Sequence, residues 1–265
     1  MKYKILSIIN LVTTMAVISW NYYINAVGIN GLVISDLSRQ YENLFTPASY
    51  AFSIWGIIFL GLIALSLYYC YLAFSKNLKE KEHNPKILKY LIIANILNGL
   101  WSYFFISQQT GISIVFMFGI LLALIICIVG LRMEKFDADP KTIIFIWWPI
   151  SFYIGWISVA AIANVASHLS RSGFNTVAVT DYQYTVTMIV IATIINVLMI
   201  YYRNMREFGL VGVWSLVAIY IRHTNTEFSS IADLALVCAV IISVAILVHG
   251  YKKRNTNIFK KIQES

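Results

Sequence analysis

Of the chain's 265 residues, 59% are hydrophobic and 12% charged, and the net charge is +8. An average soluble domain carries about 25% charged residues, so this composition excludes an ordinary soluble fold and marks a membrane protein before any motif is read. The three cysteines, Cys70, Cys127 and Cys238, lie far apart inside apolar runs with no CxxC spacing, which argues against a metal site or a disulfide framework.

Apolar runs of spanning length occur at residues 5–28, 48–74, 87–107, 111–131, 142–167, 182–202 and 231–250. An eighth run, 208–222, is shorter than the roughly 20 residues a spanning helix needs. Charge decides for eight crossings. With eight, 17 of the 20 basic residues fall on one side of the membrane, from Lys2 and Lys4 through Arg203 and Arg206 to the tail after residue 251. Only Arg39, Arg171 and Arg222 fall on the other. Seven crossings would move the basic C-terminal tail outside and break this positive-inside pattern. Both termini are therefore expected to be cytoplasmic. The first run follows "MKYK" and has the outline of a signal peptide, but it continues past Trp20 and Tyr23 without a clean small-residue cleavage site. It is read as a helix. Two outer segments, 29–47 and 168–181, are polar and contain glycine, a composition suited to loops over an outward-facing site.

The helix centres carry no ionisable residue. Proton relays and ion pathways place charge within the span, which disfavours a coupled pump or a channel. Walker A, HExxH, GxSxG and dinucleotide fingerprints are all absent. Neutral polar residues beside aromatics take their place. Asn95, Asn98, Trp101, Ser102 and Phe105 recur at three- and four-residue steps and share one face of the third helix. Trp156, Ala160 and Asn164 share a face of the fifth, and Phe52, Trp55, Gly56 and Phe59 a face of the second. Two readings fit such faces: helix–helix contact through asparagine hydrogen bonds and small residues, or the wall of a pocket. The aromatics that open the second helix also suit a membrane interface, and Pro47 suits a first turn.

The stretch "PASYAFSIWGIIF", from Pro47, resembles the "PPxWxFxxxWxxLY" signature of the TspO/MBR family, the tryptophan-rich sensory proteins related to the mitochondrial translocator protein. "LNGLWSYFFISQQTGISIV" is similar to that family's "NxxWSxxFF" stretch, and "WISVAAIAN" to its "WxSFAxxLN" stretch, in the same order. The resemblance implies an all-α, polytopic membrane bundle. A five-helix core would occupy residues 1–168, three further transmembrane helices 169–251, and a basic cytoplasmic tail 252–265. It implies a pocket for a porphyrin, or a sterol-like or aromatic ligand, among helices one to five. Carried over by position, Phe52, Trp55 and Phe59 would be the second-helix contribution, Asn98 and Trp101 the third, and Trp156, Ala160 and Asn164 the fifth. Segment 29–47, with Arg39 and Pro47, would be the lid.

The chain departs from the family pattern in three places. The proline pair is reduced to Thr46-Pro47, the preceding tryptophan is replaced near Leu44, and Pro149 lies seven residues before Trp156. The last spacing leaves Tyr153 as a competitor for the fifth-helix tryptophan position. The leading expectation is a receptor or sensor for a hydrophobic ligand in a bacterial cytoplasmic membrane. A transporter of tetrapyrroles or other lipophilic compounds, and light-dependent porphyrin breakdown through Trp55 and Trp156, are the alternatives. No catalytic residue, metal, cofactor or nucleic-acid partner is assigned. Porphyrin enters as a ligand, and the bilayer is the other expected partner.

Overall fold

The computed structural model describes residues 2–29, 31–34, 43–75, 77, 83–133, 138–172 and 181–253. Arg39 lies outside the described residues with residues 30 and 35–42 of the expected lid, as do 173–180 of the segment between the fifth and sixth helices and the tail from residue 254. Among the described residues there are eight long helices: α1 (Lys2–Ala26), α2 (Ser49–Phe74), α3 (Pro85–Ile106), α4 (Thr110–Leu131), α5 (Pro140–Arg171), α6 (Asp181–Arg203), α7 (Arg206–His223) and α8 (Ser229–Lys252). Seven are long and apolar enough to cross a membrane. The exception is α7, with 18 residues and charges at both ends. At 1.5 Å per residue it is about 27 Å long, close to the roughly 30 Å of a bilayer's hydrocarbon core. The chain is a multi-pass integral membrane protein. Large apolar side chains such as Leu60, Val115 and Leu247 stand exposed on its outside, where lipid rather than water would meet them.

Local chemistry sets the helix ends. Pro85 and Pro140 occupy first turns, where the missing N–H costs nothing. Asp139 caps α5, accepting from the Lys141 amide at 2.8 Å and the Thr142 hydroxyl at 2.7 Å. Just inside α5, residues Ile143–Trp147 form a π-helical turn directly before Pro149. A proline inside a helix cannot donate to the preceding turn, and a π-bulge is one way a helix accommodates that loss. Between α6 and α7 the chain turns through Asn204 in the left-handed region, φ 56°.

The first five helices are joined by a ladder of neutral hydrogen bonds. Ser7, Asn10, Thr14, Asn21 and Ile24 lie buried along one stripe of α1. Asn10 donates to Ser66 of α2 (2.8 Å), Asn95 of α3 donates to Thr14 (3.0 Å), and Asn21 donates to Asn98 of α3 (3.1 Å). Polar side chains in a membrane interior need such partners, and each bond contributes on the order of 0.6 kcal/mol, up to about 1.7. These contacts make the first apolar run one wall of the bundle.

The last three helices are not a separate body. A second apolar cluster, built on α6, α7 and α8, also takes in Val159 and Ala166 of α5 and Phe45 of the α1–α2 loop. Phe208, Val211 and Ala218 of α7 in turn belong to the first cluster. Helix α7 packs along α5, where a Cβ on Gly155 would sit 3.1 Å from Val211.

Candidate ligand-binding site

Under the end of the α1–α2 loop, α2, α3 and α5 enclose a small aromatic cavity. Phe52 and Trp55 come from α2, Trp101 and Phe105 from α3, and Trp156, Ala160, Ala163, Asn164 and Ser167 from α5. Ile34, Thr46 and Pro47 close it from above. Helical periodicity explains why these side chains converge. Residues 52 and 55, 101 and 105, and 156, 160 and 164 each recur at three- or four-residue steps, so each set projects from one face of its helix.

The rings hold one another in defined geometry. Phe52 meets Trp156 edge-on with centroids 5.8 Å apart, and Trp101 stacks on Phe105 at 5.7 Å. Trp55 stacks on Phe59 at 5.1 Å and meets Tyr153 edge-on at 6.0 Å. These are preferred aromatic arrangements. The free volume left between them is about 50 Å³, room for one or two water molecules, whereas pockets for drug-sized ligands run to about 300–1,000 Å³. The cavity is therefore closed down on its own aromatic walls.

Two polar groups face this apolar setting. Asn164 exchanges hydrogen bonds with Ser113 of α4, at 3.1 and 3.3 Å. Trp101 is 7% exposed, and its indole N–H is buried without an acceptor among the described residues. A buried donor left unpaired is uncommon in a folded protein and calls for a reason.

Most of the residues expected at a pocket meet here: Phe52, Trp55, Trp101, Trp156, Ala160 and Asn164, with Pro47 in the roof. Two do not line it. Phe59 lies behind Trp55 as its stacking partner. Asn98 accepts from Asn21 and donates to the Tyr153 hydroxyl at 3.1 Å, so its amide ties α1, α3 and α5 together. Tyr153 is itself buried and bound to Asn98, which leaves Trp156 as the α5 aromatic on the cavity wall. Arg39 is outside the described residues.

Sequence reasoning missed the part played by α7. Arg222 donates to the backbone carbonyls of Asn43 (3.1 Å) and Thr46 (2.5 Å), and His223 Nε2 lies 2.9 Å from the carbonyl of Leu44. The amide of Ala48 donates to the Ala218 carbonyl at 3.1 Å. Trp214 donates to the Ala51 carbonyl at 3.0 Å and meets Tyr50 edge-on at 5.2 Å. Residues 43–51, the roof and the first turn of α2, are thus bonded along their length to one helix of the C-terminal three. On the α5 side, Asn43 donates to Ser167 at 3.3 Å. The available signal was indirect: Arg222 and His223 end the one short, polar-tipped span, and nothing in their spacing names a loop 176–179 residues earlier as partner.

Neither the curated proteins nor the solved structures contain a match to the chain. The family described as TSPO-like protein matches residues 7–248, a span that takes in part or all of every one of the eight helices, α6 to α8 included. With the motif aromatics gathered under one roof and the match covering most of the chain, this protein belongs to the TSPO-like family.

Proposed function

We propose that the protein is a membrane receptor or sensor that binds a flat hydrophobic ligand, a porphyrin first among them, in the cavity beneath residues 43–47. The observation that carries this reading is the Trp101 N–H, unpaired among the described residues, in a wall rich in aromatic rings. A tetrapyrrole supplies what the wall lacks. Its faces offer large apolar area for Phe52, Trp55 and Trp156, and its polar edge offers acceptors to Trp101 and Asn164. A few convergent polar groups in an apolar cleft are the usual make-up of a small-molecule site. The small closed volume means that the roof and the rings move apart when the ligand enters, so binding includes an opening step.

The test is a titration of the purified protein with protoporphyrin, followed by tryptophan fluorescence, for the wild type beside Trp55→Phe and Trp156→Phe. Saturable quenching that weakens in both variants is the expected result. Quenching that never saturates, or is unchanged in both, removes the reading.

A further inference from the structure

A cavity about ten times larger than the aromatic one lies elsewhere. A groove of about 550 Å³ runs between α4, α5 and α6 and ends at α7. Its walls are apolar, with Phe118 and Ile125 from α4, Ile162 from α5 and Met188 from α6 along its length. Its one charged residue, Arg203, stands at the end where α6 and α4 both finish. That guanidinium donates to the carbonyls of Ile128 (3.3 Å) and Met133 (3.5 Å), and among the described residues its buried Nε has no partner and no carboxylate pairs with it.

We infer that this groove is a binding site for one anionic phospholipid, with an acyl chain between α4, α5 and α6 and the phosphate at Arg203. Three observations converge on that occupant. The first is length. Along α4 the wall runs from Phe118 to Val129, and along α6 from Met188 to Arg203. At 1.5 Å per residue these are about 16 and 22 Å, matching a chain that crosses one leaflet, half of a roughly 30 Å core. The second is polarity. An acyl chain needs no hydrogen bonds, and the walls offer almost none, since the Ser158 hydroxyl is bonded back to the Ile154 carbonyl at 2.8 Å. The third is charge. A cation at a helix end, with an N–H unpaired among the described residues, suits a phosphate, and an anionic headgroup is favoured because the ammonium of a zwitterionic one would repel the guanidinium and cancel the net charge. Arg132 directly follows α4 and Arg206 opens α7 three residues after Arg203 in the chain, with Glu207 beside it. This site is separate from the aromatic cavity, with which it shares no lining residue.

The test uses the full chain in detergent, titrated with dioleoyl phosphatidylglycerol or dioleoyl phosphatidylcholine and read by native mass spectrometry. The expected result is a several-fold excess of retained phosphatidylglycerol on the wild type. Arg203→Gln should abolish that excess, Arg203→Lys should keep most of it, and Ser158→Phe, which fills the groove, should lower retention of both lipids. Equal retention of the two lipids by the wild type would reduce the groove to ordinary lipid contact and overturn the inference. So would an excess that persists in Arg203→Gln or in Ser158→Phe, because the headgroup would then be held elsewhere. A lipid-independent dimer that Ser158→Phe dissociates would make the groove an interface between copies, and would overturn it equally. If Arg203→Gln does not fold, the comparison of wild type with Ser158→Phe still decides.

Discussion

Trp101 and Asn98 lie three residues apart on the same face of α3, and their environments separate two roles that periodicity alone merges. Trp101 has an N–H in the cavity wall with no acceptor among the described residues. Trp101→Phe preserves the ring and removes only the donor. The expected effect is a fall in protoporphyrin affinity of about tenfold, the worth of a hydrogen bond to a charged acceptor, with little change in thermal stability. Fluorescence titration beside a melting curve checks both halves. Asn98 is the converse case. Asn98→Ala leaves the Asn21 amide and the Tyr153 hydroxyl without their shared partner. It should destabilise the protein by about 1–2 kcal/mol and leave ligand affinity near the wild-type value. A loss of affinity without loss of stability would instead put Asn98 at the ligand.

At the scale of elements, close approach between helices is set by glycine where two backbones must come near. Gly212 of α7 faces Asn196 of α6 so tightly that an added Cβ would lie 2.3 Å from the Asn196 Oδ1 atom. The Asn196 amide already donates back to the Ala192 carbonyl at 2.8 Å, so it is not free to swing away without losing that bond. Gly212→Ala should therefore spread α6 from α7 and cost about 1–3 kcal/mol, the usual penalty of overpacking. Thermal unfolding in detergent measures it, and the neighbouring exposed change Val237→Ala on α8 serves as the control with little expected effect. The same logic applies at α1, where Gly28 sits at φ +77° and a Cβ would strike the Leu32 carbonyl oxygen at 2.4 Å. The chain turns there, just after α1, because glycine takes that backbone conformation without strain.

At the scale of the whole molecule, the C-terminal helices and the roof of the cavity are one mechanical unit. Arg222 and His223 hold three roof carbonyls, and a cavity of about 50 Å³ would take the proposed porphyrin only if that roof lifted. Replacing both residues by alanine weakens the closed form. The expected result is an association rate for protoporphyrin raised by about tenfold, since hydrogen bonds from a charged group contribute about 1.5–3 kcal/mol and about 1.4 kcal/mol is a factor of ten. Stopped-flow quenching reads it, and an unchanged rate would mean that the roof does not limit entry. A chain ended at residue 172 tests the unit more bluntly. It strips the α7 contacts from the face of α5 that carries Gly155 and from the buried Phe45. It should fail to give a monodisperse five-helix protein on size exclusion.

The helices were legible in the sequence because a bilayer leaves few options. Backbone polar groups in hydrocarbon must be satisfied within the segment, so a long apolar run is a helix. The distribution of 17 basic residues to 3 made the count eight, and the short run at 208–222 is the core of α7. The cavity aromatics were legible for a related reason. Phe52, Trp55, Trp101, Trp156, Ala160 and Asn164 are grouped by helical spacing, which is a local property of each chain segment. Which of two bonding partners an asparagine takes is not local. Asn98 and Asn164 look alike in sequence, and only the neighbouring helices place one at a helix junction and the other at a cavity wall. The attachment of α7 to residues 43–51, the near-closed volume beneath them and the groove ending at Arg203 were decided by packing between segments far apart in the chain. The sequence by itself determined what each helix is made of and which face it would bury. The tertiary structure alone decided what each face meets, because that depends on side chains brought together from more than a hundred residues away.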